Sequence, residues 1–308
     1  MKIIHTANEL NPAGRKVCLA IGFFDGVHLG HQQIIRQTIA DARQHEALAL
    51  VVTFDCHPSS VVATNRVPPL IYSLSQKLRV IGTLGTDALL LIHFDKSFSE
   101  QTGEAFIHGL ARDLGQIQSL CVGNNFTFGY KRGGNVALLK TLGEELHFTV
   151  HGMAAVSLDG RVVSSTRIRE TIRSGDLDTA SQMLGRPYSL AGQIVRGDQL
   201  GRQLGFPTAN LDVTGLRLPP NGVYTAHANF ADRSPHRAVV NIGSRPTLEN
   251  PAPQVRVEAH LLDFQGDLYG QEMEIIFGEK LRDEKKFPSL AALKEQIAND
   301  IAEAKTQF

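Results

Sequence analysis

Residues 17–42, VCLAIGFFDGVHLGHQQIIRQTIADA, decide the fold. They open with five apolar residues, Val17 to Ile21, and pass through a turn punctuated by Gly22, Gly26 and Gly30. Ile34, Ile35, Thr38, Ile39 and Ala42 then fall on one helical face. A short apolar run followed by a period of 3.6 reads as a β-strand feeding an α-helix. The texture persists to about Leu184: strand-like runs at 17–21, 48–54, 88–94, 119–122 and 147–150 alternate with helical patterns near 31–45 and 99–115. Such alternation predicts a parallel sheet flanked by helices, with ligands bound beyond the carboxyl ends of the strands. The turn GFFDGVHLGH stands at the first of those ends.

After GRPYSL (185–190) the texture changes. Strand-like runs near 191–196, 222–230, 237–242, 254–262 and 271–277 follow one another with turn residues between them, and a helix is expected again only after Pro288, in SLAALKEQIANDIAEA. This is the pattern of a small antiparallel barrel closed by a terminal helix. The expected division is therefore 1–186 and 187–308, in line with a chain of 308 residues, too long for one ordinary core.

Composition narrows the function classes. Thirty-one basic residues balance thirty-one acidic ones, so no global field draws in nucleic acid or an anionic membrane, and anion binding has to come from a local site. The longest apolar runs are too short to span a bilayer, and the start MKIIHTANELNPAGRK lacks a signal-peptide core. Cys18, Cys56 and Cys121 are odd in number, lie in or beside apolar runs and have no ligand spacing, which reads as three buried thiols in a reducing cytoplasm. Small-molecule substrates are the expected partners, with self-association left open. Residues 1–14 and 59–72 carry no functional reading.

If the helix begins near Gly30, His28 and His31 project from its first turn on about the same side, where unpaired backbone N–H groups and the positive dipole end favour an anion. Gly22, Gly26 and Gly30 would let a phosphate chain approach the backbone. Imidazole donates hydrogen bonds to phosphate oxygens and strengthens them as charge builds on a leaving group. No third ligand sits nearby for zinc, and GYKRGGN (129–135) has Asn135 where a P-loop requires lysine. A second string, VSSTRIR (163–169), reads by itself as the start of a capped amphipathic helix.

The carboxyl-terminal half holds two further strings. In GDQLGRQLGFPTANL (197–211), Gly201 and Gly205 permit close approach to phosphate, while Thr208 and Asn210 place two neutral oxygen ligands on one side of an extended chain. Magnesium accepts such ligands when nucleotide phosphates complete its shell. In QVRVEAHLLDF (254–264), alternation sends Val255, Val257, Ala259 and Leu261 to one face and Arg256, Glu258 and His260 to the other. The blander reading of that second row is a solvated outer face.

These strings carry a resemblance. GVHLGH matches the G-H-x-G-H motif of nucleotidyltransferases, and with TFDCHP (53–58), VGNNFTFG (122–129) and VSSTRIR the amino-terminal half resembles the FAD synthetase module of the bacterial bifunctional riboflavin kinase/FAD synthetase family. Cys56 stands where proline is common and Asn125 where many members have aspartate. The kinase module is matched by FPTAN, GVYTA (222–226), NIGSRPT (241–247), DLYG (267–270) and LRDEKKF (281–287). The resemblance implies a Rossmann-like nucleotidyltransferase sheet plus a riboflavin kinase barrel, both steps using ATP and Mg²⁺. Riboflavin would be phosphorylated to FMN, and FMN adenylylated to FAD with release of pyrophosphate.

By matching positions, Gly22, Phe24, Asp25, His28, His31, Asn125, Ser165, Thr166 and Arg169 would bind ATP or flavin for adenylyl transfer, with His28 and His31 on the triphosphate. Gly201, Gly205, Thr208, Asn210 and Glu258 would serve the kinase, Thr208 and Asn210 holding the metal and Glu258 acting as base. Two rivals are set aside by the same residues. A transferase for another phosphorylated metabolite has no need of FPTAN or VEAHLLDF; a protein that only senses flavin or nucleotide has no need of both catalytic sets, and a nucleic-acid-binding β module would call for basic charge and an aromatic strand that the sequence lacks.

Overall fold

A computed structural model describes the chain except residues 64–66 and 248–249 and the side chains of 245–254. Part of the 59–72 stretch, the last three side chains of NIGSRPT and Gln254 of the 254–264 string thus lie outside the described residues. The backbone forms two compact units, 1–70 with 74–167, and 71–73 with 168–308.

The first unit is a six-stranded sheet, parallel throughout. Its strands are β1 (Lys2–Ile4), β2 (Val17–Ile21), β3 (Leu48–Phe54), β4 (Ala88–Ile92), β5 (Ile117–Gly123) and β6 (Thr149–Met153), in the order β1-β4-β3-β2-β5-β6. Every residue of β2 is buried, as a strand covered on both faces requires. Leu19 and Ile21 pack into one core layer; Cys18 and Ala20 pack into the other, against Ile34, Ile35 and Ile39 of helix α1 (Leu29–Gln44). Helices α2 (Ser59–Val62), α3 (Leu74–Thr83), α4 (Lys96–Ser99), α5 (Gly103–Leu114) and α6 (Val136–Leu146) complete the layers, with a small ribbon of β7 (Ser157–Leu158) and β8 (Arg161–Val162).

The expected strands at 17–21 and 48–54 agree with β2 and β3, while the later ones shift at their ends. Strand β1 was not anticipated: three residues at the edge of a sheet carry too little pattern to register. One thiol reading is corrected. Cys18 and Cys121 are fully buried, but Cys56 is part-exposed because it lies two residues beyond the end of β3, in the loop outside the sheet.

The second unit contains most of α7 (Ser165–Ser174), then α8 (Leu177–Leu184) and a closed barrel. The barrel strands are β9 (Ser189–Val195), β10 (Ala209–Leu211), β11 (Gly222–Asn229), β12 (His236–Thr247), β13 (Asn250–Leu261) and β14 (Glu272–Arg282). They close in the order β10-β13-β12-β11-β14-β9 with antiparallel pairing. Val257, Ala259 and Leu261 point into the barrel, as alternation predicts. Helix α10 (Leu290–Gln307) follows, its Ser289 side chain accepting from the Ala292 amide. One expectation fails: helix returns well before Pro288, as α9 (Leu200–Leu204) within the glycine-rich loop. Five residues ending in a glycine are too short for helical periodicity to show.

Candidate active sites

The loop after β2 sits where the sheet changes direction. From β2 the chain winds outward through β3 to β4, then crosses to β5 on the other flank of β2, so the carboxyl end of β2 lies at a topological switch point. The loop is strained: Phe24 (φ 54°) and Val27 (φ 42°) both adopt positive φ, uncommon for non-glycine residues and costly for a β-branched valine.

His28 caps α1, its Nδ1 accepting from the His31 amide at 3.4 Å. That bond puts the proton of a neutral ring on Nε2, leaving an N–H donor at the far edge. The two imidazoles stack at 3.6 Å, and Phe24 packs edge-on to His31 at 5.3 Å. The glycine reading changes here. A Cβ on Gly22 would come within 2.8 Å of the Phe24 ring, so Gly22 makes room for a side chain of the loop itself rather than for a ligand.

Two cavities flank this loop. One, of about 310 Å³, runs from β2 toward β5 and β6 and is lined by Gly22, Phe24, His28, His31 and Asn125. The other, of about 770 Å³, opens on the β3 and β4 side between Phe54, Phe94, Phe98, Phe106, Phe126 and Phe128. Ile21, Phe23 and Phe126 line both, so the cavities adjoin above the end of β2. Asp25, Ser165, Thr166 and Arg169 are not among the lining residues of the smaller one. Ser165 instead donates its hydroxyl to the Asp25 carbonyl at 3.1 Å, tying the start of α7 to the strained loop. The helix cap is Ser164, whose Oγ accepts from the Arg167 amide at 3.2 Å. Arg169 belongs to the second unit.

In the barrel, Asn210 of β10 and Asn241 of β12 are both register partners of Glu258 on β13. The three side chains share a face because their neighbours Ala209, Val240, Val257 and Ala259 point inward. The basic residues on either side of Glu258 hold the glycine-rich loop: Arg256 pairs with Asp198 at 2.7 Å, and His260 Nδ1 lies 2.8 Å from the Pro207 carbonyl. The outer row is therefore a clamp on a loop, with the carboxylate between its jaws.

Thr208 lines two cavities. One, of about 620 Å³, includes Arg196, Arg202, Phe264 and Tyr269, with the Arg196 guanidinium over the Tyr269 ring. The other, of about 290 Å³, includes Glu258, Asn241, Phe206, Phe287 and Ile301. Gly205 takes φ 92° to end α9, and a Cβ on Gly201 would meet the Phe206 carbonyl at 2.4 Å, so both glycines shape the loop that presents Thr208.

A magnesium ion suits this donor set. A Cβ at Gly197 would fall within 2.7 Å of the Asn210 amide oxygen, so the loop is folded tightly about that side chain. Two neutral oxygens and one adjacent carboxylate are hard donors of the kind magnesium takes; Thr208 and Glu258 line a common cavity, while Asn210 is not among the lining residues of either cavity.

The aromatic cavity had escaped sequence reading. Its phenylalanines come from a strand end, two helices and loops far apart in sequence, and the hints were scattered: Phe54 in TFDCHP, Phe94 at the end of a strand-like run, and Phe126 and Phe128 in VGNNFTFG. The clamp on the glycine-rich loop was equally hidden, because it requires knowing which loop faces β13.

Comparison with known proteins fixes the class first. Residues 10–167 match the family model described as FAD synthetase, and residues 184–308 match that described as riboflavin kinase, giving a two-module flavin-directed transferase. Proteins described as bifunctional riboflavin kinase/FMN adenylyltransferase are similar along the whole chain. The one from Escherichia coli K12 is 35% identical over 100% of this chain and 98% of its own length, and the one from Pseudomonas fluorescens 36% identical over 99% and 97%. A crystal structure from Streptococcus pneumoniae, described as a macrolide-efflux protein, superposes with a TM-score of 0.80 at 27% identity over 99% of each chain. Among the described residues, no helix is long and apolar enough to cross a membrane. The chain belongs to the family of bifunctional riboflavin kinase/FMN adenylyltransferases.

Proposed function

We propose that the two activities of this bifunctional enzyme are divided between residues 1–186, which adenylylate FMN, and residues 187–308, which phosphorylate riboflavin. The observation that carries the division is the pair of adjoining cavities found in each unit, meeting at Phe23 and Phe126 in one and at Thr208 in the other. Each reaction needs a nucleotide and a flavin brought end to end.

In the barrel, ATP occupies the larger cavity and riboflavin the smaller. Glu258 accepts the proton of the ribityl 5′-hydroxyl as that oxygen attacks the γ-phosphorus; a new P–O bond forms, the bond to ADP breaks, and FMN results. Thr208 and Asn210 would hold Mg²⁺, which would neutralise phosphate charge there.

In the sheet, ATP lies along the histidine side and the isoalloxazine ring among the phenylalanines, where aromatic stacking suits a planar heterocycle. An FMN phosphate oxygen attacks the α-phosphorus of ATP, the α–β bridge breaks, and pyrophosphate leaves. His28 donates through Nε2 to the triphosphate, and the amides at the start of α1 share that load. Ser165 sets the loop, with Thr166 beside it at the start of α7.

Cytoplasmic residence belongs to the same reading, and three unbridged cysteines support it. Incubation with riboflavin, ATP and Mg²⁺, followed by chromatographic separation of the flavins, tests the reading. FMN should appear first and FAD after it, and both should stop when the metal is chelated; absence of phosphorylated flavin under every metal condition refutes it.

A further inference from the structure

Lys77 is buried to 4% exposure on the inner face of α3, although it lines neither cavity of its unit. Lysine is almost never buried this far without partners, because its charge must leave water. Its ammonium donates to the Phe54 carbonyl at 2.7 Å and to the Phe23 carbonyl at 3.2 Å, and lies 3.4 Å from Thr53 Oγ1. Thr53 Oγ1 itself donates to the Phe23 carbonyl at 3.0 Å. The same ammonium stands 4.4 Å from the centre of the Phe23 ring. It thus sits beneath the carboxyl ends of two neighbouring strands, β2 and β3.

Those ends are the two walls of the site. Phe54 faces the aromatic cavity, Phe23 lines both cavities, and the Phe23 ring meets His57 edge-on at 4.9 Å. Transfer between two bound substrates depends on their relative placement, and a displacement near 1 Å costs about a hundredfold in rate. Charge-assisted hydrogen bonds to carbonyls are among the stronger ways to fix backbone spacing.

We propose that Lys77 is a positioning residue for adenylyl transfer: its ammonium ties the Phe23 and Phe54 backbones together and so sets the distance between nucleotide and flavin. This inference rests on the assignment of adenylyl transfer to the first unit, which FAD formation by the unaltered enzyme near neutral pH tests separately.

Burial lowers the Lys77 ammonium from the usual lysine value to about 8, opposed by the nearby charges of Asp25 and Asp55. Asp25 faces it from the loop after β2, and Asp55 and Cys56 from the loop after β3. Asp55 is also hydrogen-bonded to His93, and burial keeps the Cys56 thiol protonated well above neutrality. The tie therefore weakens as pH rises through about 8, because the neutral amine makes poorer bonds to the two carbonyls.

The test is the single-turnover rate of FAD formation from pH 6.5 to 9.5 in the full-length enzyme and in Lys77→Met and Lys77→Arg, with riboflavin phosphorylation in the same preparations as control. The unaltered enzyme should lose rate on an alkaline limb centred near pH 8. Lys77→Met should be slower at pH 7 by roughly tenfold to a hundredfold and lack the limb. Lys77→Arg should recover part of the rate and also lack the limb, since guanidinium stays charged throughout. Kinase rates should be unchanged. A normal rate in folded Lys77→Met, or an alkaline limb that survives in Lys77→Arg, overturns the proposal; if Lys77→Met fails to fold, the limb in Lys77→Arg decides alone.

Discussion

Asn210 lies directly across the β10–β13 ladder from Glu258, so an amide and a carboxylate share one face at adjacent positions. Direct partners across an antiparallel pair have Cβ atoms about 5 Å apart. That spacing lets a base and a cation attend the same phosphoryl group without competing for one oxygen. Loop and strand are fixed to one another independently of ligand, through Arg256 on Asp198 and His260 on Pro207.

Glu258→Gln keeps the size of the side chain and removes the base. FMN formation should fall by about 10² to 10⁴ in kcat, the range for loss of a positioned base. Conversion of supplied FMN to FAD should stay within twofold of normal, because Glu258 belongs to the barrel. Chromatography of the two reactions, run separately, checks both halves.

His28 has two duties that substitution can separate. His28→Asn keeps a helix-capping side chain, whereas His28→Ala loses it at a cost of about 1 kcal/mol. Both should lose FAD formation by about a hundredfold or more, the scale for removing one donor to a developing anion. Only the alanine variant should melt measurably lower, which differential scanning calorimetry would reveal.

Asp300 of α10 is buried to 3% exposure and takes a two-pronged bond from Arg282 of β14 at 2.8–3.1 Å. Gln296 donates to the same carboxylate at 2.7 Å. Removing one partner leaves the other charge uncompensated, so Asp300→Ala should destabilise the barrel by about 3 kcal/mol. Both residues line the smaller barrel cavity, and the KM for riboflavin should rise with it. Urea titration and kinase kinetics measure the two effects.

Thiol chemistry should separate Cys56 from the other two. Burial raises all three thiols and carries Cys121 to about 12, but only Cys56 is part-exposed. An aromatic disulfide reagent at pH 8 should label one thiol per chain, and three in denaturant. The labelling rate should climb roughly tenfold per pH unit below the Cys56 pKa, because the thiolate is the nucleophile.

Where sequence reading succeeded, a local pattern carried the information. The apolar run 17–21 is β2 as written, and the alternation of 255–261 separates inward Val257 and Ala259 from outward Glu258. His28 and His31 do share the first turn of a helix, but the helix starts a residue earlier and His28 is its cap. Long-range relations stayed hidden. Lys77 falls in none of the strings that carry a reading, since only the fold brings the carbonyls of residues 23 and 54 to it. The aromatic cavity and the Arg256–Asp198 clamp escaped for the same reason: each joins segments whose nearness is a product of topology.

A mixing experiment bears most directly on the division of labour. Glu258→Gln should make FAD only from supplied FMN, and His28→Asn should stop at FMN. Given riboflavin, ATP and Mg²⁺, neither variant alone should yield FAD, while an equimolar mixture should, as FMN released by one is used by the other. Folded variants that fail to make FAD when mixed, although FMN accumulates, would contradict two separate sites.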